Sequence, residues 1–305
     1  MISPQDAIAA IKQRFGQHAG FRALHAKGLF CSGSFTATPE AAALTSALPY
    51  QGETLRATVR FSNGGGDPTI PDYMPDVRGL AVSFHLPDGK RTDIVAQSAP
   101  RFPVRDADGF IAFMRAMQPG AAQLWKLPDF LRKHPGALSA MLASSSALIN
   151  PPASYASIPY FAVHGFLWTA ADGSQRWVRY CWVPEQEQRL STLAARKQDA
   201  DYLQNDLRAR LQQGGGVRMV LHVQIADAGD NPHDPMSVWA GQQDVVVGHL
   251  EVTALLPERE ADGKVFVFDP VRVVDGIGLS DDPILNYRPR AYSESARQRA
   301  GIKPQ

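Results

Sequence analysis

The residues that could do chemistry lie near the two ends of the chain. Arg22-Ala-Leu-His25-Ala-Lys-Gly28 puts a guanidinium and an imidazole on one short segment, followed by a glycine that frees the chain to turn. Arg288-Pro-Arg-Ala-Tyr292 puts an arginine four residues before a phenol, so that on a helix the two share a face. A guanidinium beside a phenol favours the ionised oxygen, and tyrosine is one of the few side chains that hold haem iron from below. A histidine that does not ligate is then free to move protons above the metal. The plainer alternatives are a hydrogen-bonded core histidine and a tyrosine packed against a surface arginine.

Further residues could complete such a site. Arg22 could hold a carboxylate bidentately. Arg60, in Thr58-Val-Arg-Phe-Ser62, sits in an otherwise apolar strand, where a buried arginine needs an anion. Asp93 or Asp106 would serve, and so would a haem propionate; spacing alone favours an aspartate. Gln97 ends a strand just before a proline, and its amide could orient a peroxide or satisfy a turn. Phe102 and Phe110 flank Arg105-Asp106 and suit either a core or an apolar wall over a flat cofactor. Arg299 lies seven residues beyond Tyr292, two turns along the same helix face.

Hydropathy patterns supply the elements that must position these groups. Asp6 to Phe15 carries apolar residues at helical spacing, after Ser3-Pro4. Leu55–Phe61 and Gly79–His85 read as strands, separated by a long loop from Ser62 to Arg78 that holds Gly64-Gly65-Gly66. Pro87-Asp-Gly-Lys90 reads as a hairpin turn. Helices are expected over Ala107–Gln118 and Ala121–Leu148, the second broken near Pro128 and Pro135, and over Ala200–Gln212. Strands are expected over Ala162–Thr169, Arg176–Val183, Val217–Ala226 and Asp244–Leu256. Hairpins with helices inserted between them predict class α+β, one antiparallel β-barrel with helices packed outside.

Composition narrows the function. The chain has 305 residues, 44% of them apolar, enough for a sizeable core. Lys+Arg 31 against Asp+Glu 30 gives no reason to expect nucleic acid or an anionic membrane as partner. No apolar run approaches the roughly 20 residues of a membrane helix. The start lacks a basic head and an apolar block, so the cytoplasm is expected, or the periplasm had a signal been removed. Cys31 and Cys181 are expected to be two buried thiols in a reduced compartment, although they could pair. His18 and His25 lack a third metal ligand, and His222, His233 and His249 are scattered. The triple-glycine loop lacks the lysine of a phosphate loop. Asp281-Asp282 before Pro283 reads as a helix start rather than a calcium site.

Taken in order, the motifs resemble the haem catalases, and more closely the small catalase-related peroxidases. They are Arg22 to Gly28 with Gly33-Ser-Phe35; Val59-Arg60-Phe61-Ser62; Asp76-Val-Arg78-Gly79-Leu-Ala81; Asp93 to Pro100 on through Phe102, Arg105-Asp106 and Phe110; Asn231 to Trp239; Val247 to Glu251; Phe268-Asp269-Pro270; and Arg288 to Tyr292. Together they span roughly residues 15 to 300.

The resemblance implies an eight-stranded antiparallel barrel binding haem b, with all of residues 1–305 forming one domain. It implies Tyr292 as the iron ligand, polarised by Arg288 with His164 in the same network. It further implies Arg22, Arg60 and Arg299 on the propionates, His25 as acid/base supported by Ser62, and Phe102 and Phe110 along the haem and its channel. Gln97 falls where the family usually has asparagine, and its extra methylene shifts the amide. The chain stops soon after the tyrosine helix, without the wrapping segment and helical domain of full catalases, so a more open site is expected. That favours a peroxidase that reduces hydrogen peroxide or organic hydroperoxides with an organic donor, through an oxidised haem and with weak catalase activity, in a homodimer. A strict catalase, a lipid hydroperoxide isomerase and a non-catalytic ligand-binding barrel are the alternatives.

Overall fold

The computed structural model describes residues 2–118, 120, 123–257 and 265–301. Eight antiparallel strands close on themselves: β1 (Gly28–Ala37), β2 (Thr54–Asn63), β3 (Arg78–His85), β4 (Arg91–Gln97), β5 (Tyr160–Thr169), β6 (Gln175–Pro184), β7 (Val217–Ile225) and β8 (Asp244–Leu255). Sequential neighbours pair, β8 returns to β1, and β4 meets β5 through Gln97 and Phe161. A short ninth strand, β9 (Ile277–Leu279), adds to β5. Closure removes the free edges that would otherwise invite aggregation.

Alternating apolar residues explain why the strands close. Phe35, Val59, Phe61, Leu80, Val82, Trp168, Trp182 and Leu221 are fully buried in one cluster inside the barrel. Each such side chain contributes roughly 1.5–3 kcal/mol on leaving water. The interior is therefore a packed core, and the chemistry must lie outside it.

Helices α1 (Pro4–Phe15), α2 (Pro39–Leu44), α3 (Ala107–Ala116), α4 (Gln123–Lys133), α5 (Pro135–Ile149), α6 (Thr192–Ala195), α7 (Tyr202–Gln212) and α8 (Pro283–Arg299) surround the barrel. Ser3 caps α1 by accepting from the Asp6 N–H, and Pro4 starts it. Ala7, Ile8 and Ile11 of α1 pack with Ile111 and Met114 of α3 and Tyr287 of α8 in a second core.

Several expectations are adjusted. Pro128 does not break a helix: it stands at the middle of α4, which runs through it despite the lost bond from its missing N–H to the Leu124 carbonyl. The break falls at His134, ahead of Pro135; Ala121 and Ala122 lie outside the described residues. α3 stops at Ala116, and α7 starts at Tyr202. α2, α6 and β9 are too short to show a period in the sequence. The turn at Pro87–Lys90 is formed, with Gly89 at φ 81° and the Leu86 N–H bonded to the Lys90 carbonyl at 2.9 Å. Both cysteines are free; Cys31 is buried and Cys181 half-buried, and burial pushes each thiol up to about 12.

Candidate active site

A cavity of about 480 Å³ opens between the barrel and helices α1, α3, α5 and α8. Every candidate residue but one lines it: Arg22, His25, Arg60, Ser62, Gln97, Phe102, Phe110, Arg288, Tyr292 and Arg299. The exception is His164.

The barrel wall is built by strand register. Gly28 pairs with Ser62, Ser62 with Gly79, Gly79 with Gln97, and Gln97 with Phe161. Residues paired across neighbouring strands share a face, so Ser62 and Gln97 stand on either side of a bare Gly79. That gap admits His25: a Cβ on Gly79 would come within 2.7 Å of His25 Nδ1 and of Ser62 Oγ. His25 Nδ1 then lies 3.0 Å from Ser62 Oγ.

His25 adopts φ 56°, left-handed backbone that costs a non-glycine residue roughly 1–3 kcal/mol. Two backbone bonds hold it there, from the His25 N–H to the Gly64 carbonyl and from the Ala26 N–H to the Gly65 carbonyl, both 3.0 Å. The triple-glycine loop thus positions the histidine. Arg60 adds a third tie, donating from Nη2 to the His25 carbonyl at 2.9 Å. Burial, and then the charges of Arg60, Arg22 and Arg288, push the His25 pKa down to about 3. The ring is neutral at any ordinary pH.

Neither aspartate that spacing favoured holds Arg60. Asp93 is engaged by Arg272 and by the Asp269 N–H, and Asp106 caps α3 through the Gly109 N–H at 2.7 Å. Arg60 instead lies with Arg22 beside one ring, their guanidinium carbons 5.5 and 5.7 Å from the Phe30 centroid. Arg22 also donates to the Phe266 carbonyl at 2.8 Å. Two cations over one ring make a strongly positive corner in the cavity.

The facing wall belongs to α8. Arg288 Nη1 donates to the Tyr292 hydroxyl at 3.0 Å, as the helical spacing predicts. Arg299 follows on the same helix, its Nε 3.3 Å from the Ser295 carbonyl, and the Ser295 hydroxyl accepts from the Ala23 N–H at 3.5 Å. That bond joins the tyrosine helix to the histidine segment. Phe102 and Phe110 pack at 5.5 Å between centroids, and Arg288 lies 5.8 Å from the Phe102 centroid.

His164, on β5, is buried behind this wall. Its Nδ1 lies 2.6 Å from Asp282 Oδ2, and its Nε2 has no hydrogen-bond partner among the described residues. Burial, aided by Arg288 and opposed by Asp282, lowers its pKa to about 4. It therefore bears on the cavity through Arg288. Asp282 caps α8 through the Ile284 and Leu285 N–H groups, as its place before Pro283 predicts. Its second role, holding His164, has no signal in the local sequence. Gly79 was likewise visible only as part of a motif, because its need for a missing Cβ arises from His25, ahead of β1, and Ser62, on β2, meeting over β3.

The profile of the family described as Catalase matches residues 13–305. The chain belongs to the catalase family. It is 45% identical to the catalase-related peroxidase of Mycolicibacterium paratuberculosis, over 99% of this chain and 96% of that protein. It is 32% identical to the catalase-related peroxidase of Synechococcus elongatus, over 98% of this chain and 89% of that protein. A solved bacterial catalase superposes with a TM-score of 0.80 at 25% identity, covering 94% of this chain and 60% of that one. The eight-stranded closed barrel is thus the family fold, and haem binding follows from membership.

The described side chains fit a haem. The macrocycle needs an apolar slot, an axial donor and a positive corner for its carboxylates. The cavity offers Phe102 and Phe110, Tyr292, and the cluster of Arg22 and Arg60 with Arg299.

Proposed function

We propose that this chain is a haem b-dependent peroxidase that reduces hydrogen peroxide or organic hydroperoxides with an organic electron donor. One observation carries the reading: Tyr292, with Arg288 on its oxygen, and His25, with Ser62 on its Nδ1, line a single cavity. The 45% and 32% identical relatives, both called catalase-related peroxidases, support it.

In this reading Tyr292 would hold the haem iron through its phenol oxygen, with Arg288 steadying negative charge on that oxygen. Arg22, Arg60 and Arg299 would hold the haem carboxylates. The bound haem supplies the two-electron oxidising capacity that side chains lack. His25 moves the proton: with Nδ1–H donating to Ser62 Oγ, Nε2 is the free base. It takes the hydroperoxide proton and returns it to the leaving oxygen. A histidine already protonated could not begin that transfer, so its depressed pKa serves the reaction. Among the described residues Gln97 Nε2 makes a 3.4 Å contact with the Ala99 carbonyl, a long bond easily exchanged for one to a bound oxygen. Phe102 and Phe110 exclude water from the slot.

The test is a donor-oxidation assay on haem-loaded protein, with oxygen release followed in parallel. Donor oxidation with little oxygen supports the reading; rapid oxygen evolution with no donor consumed overturns it. Tyr292→Phe should lose or alter the haem spectrum. His25→Ala should keep haem and lose peroxide reactivity by about 100-fold or more.

A further inference from the structure

Arg14 is a cation of the same cavity that this chemistry does not use. It lies in the last turn of α1, on the side that carries Ala7, Ile8 and Ile11 into the cavity wall. Helical spacing calls for an apolar residue at that place. Its Nη1 is buried without a hydrogen-bond partner among the described residues. The other described arginines of the wall all donate to protein oxygens. Arg22 reaches the Phe266 carbonyl, Arg60 that of His25, Arg101 that of Ser139, Arg288 the Tyr292 hydroxyl and Arg299 the Ser295 carbonyl.

The nearest compensating charge is already shared. Asp76 favours the charged form of Arg14, against its burial. Yet Asp76 accepts from the Gly65 N–H at 2.8 Å and lies 3.6 Å from Arg78 Nη1. Beside Arg14 the wall is largely apolar: Phe15, whose ring centroid is 4.9 Å from its guanidinium carbon, packs in one cluster with Ile11 of α1 and Ile111 and Met114 of α3. Arg14 is only half-buried, so an entering molecule can reach it. A guanidinium short of acceptors above an apolar wall fits a ligand with an apolar body and one carboxylate.

We propose that Arg14 recognises the carboxylate of an apolar organic hydroperoxide, so that the preferred substrates of this cavity are hydroperoxides of amphipathic acids. The inference rests on the peroxidase reading and names its substrate class. Buried charge-assisted bonds discriminate strongly, because an uncharged analogue leaves the guanidinium unmet.

The experiment compares linoleic acid hydroperoxide with its methyl ester, using the haem-loaded full chain, one donor, and each preparation assayed with both. The ratio of the two kcat/KM values is independent of how much enzyme carries haem. Wild type should prefer the acid. Arg14→Met should lower that preference about tenfold through KM, and Arg14→Lys should retain part of it. An unchanged preference in Arg14→Met, or none in wild type, overturns the proposal. Haem titration of the cofactor-free variant closes the remaining route: weakened haem affinity with the acid preference intact would make Arg14 a cofactor contact and overturn it too. Cumene hydroperoxide separates the two levels. If wild type reduces it but does not favour the acid, only the role of Arg14 falls; if neither it nor hydrogen peroxide is reduced, the peroxidase reading falls as well.

Discussion

The imidazole of His25 rests over the bare Cα of Gly79, where a Cβ would stand 2.7 Å from Nδ1. That distance is far inside van der Waals contact, and Ser62 Oγ is equally close, so neither partner can yield without breaking their bond. Gly79→Ala should therefore cost peroxide reactivity by about tenfold to 100-fold through displacement of the base, a loss in kcat/KM. Haem content should be retained, since Tyr292 and its arginine lie on another element. Stopped-flow mixing with peroxide, next to a haem assay, checks it. Wild-type reactivity in the variant would mean that the histidine has room to spare.

The depressed pKa of His25 has a sign that can be measured. The unfolded chain takes up this proton below about pH 6.5 and the folded chain only below about 3. Between those limits the unfolded state binds more protons, so stability is full above pH 6.5 and falls as the pH drops. The slope from this residue is at most about 1.4 kcal/mol per pH unit. His25→Gln should flatten that part of the curve in denaturant unfolding of the haem-free protein. In the loaded protein, haem carboxylates held at Arg22 and Arg60 as proposed would remove part of the electrostatic push, while burial, the largest cause, would remain. Peroxide reactivity should then show no acid limb near pH 6.5; a limb there would place the proton on some other arrangement of the ring.

Lys27, two residues after His25, does structural work instead. Its ammonium is buried 2.8 Å from Asp72 Oδ1 and donates to the Ile70 and Ala200 carbonyls at 3.1 and 3.0 Å. Asp72 also accepts from Asn63 Nδ2 at 2.7 Å and from the Leu203 N–H at 2.9 Å, so the pair ties β2 to α7. Lys27→Met leaves a fully buried carboxylate short of its cation, at a cost of about 3–5 kcal/mol. Thermal or urea unfolding should show it. A variant of unchanged stability that merely loses haem would assign Lys27 to the cofactor instead.

Much of the fold was legible because its physics is local. Seven of the eight barrel strands lie in alternating or β-rich runs between turn residues, and the hairpin glycines Gly89 and Gly173 adopt the positive φ their places demand. Helix breaks were less legible. Pro128 stands at the middle of α4, where local propensity calls for a break, yet the helix continues through it. The partner of Arg60 was misjudged for a similar reason: a buried cation demands acceptors, but only folding decides that they are carbonyls of the His25 segment.

By itself the sequence determined which groups were available: a phenol with an arginine one helical turn away, an imidazole beside an arginine, and further guanidiniums at Arg60 and Arg299. Side-chain chemistry and the i, i+4 rule are properties of short stretches, and they survive into the structure as the bond from Arg288 to Tyr292. The tertiary structure alone decided that the two ends of the chain share one cavity, that Gly79 is empty so that His25 can settle against Ser62, and that Arg14 is left short of partners. Each of these depends on distances between residues remote in sequence. Barrel closure and helix packing set those distances, and they are collective results of burying the core rather than of any local pattern.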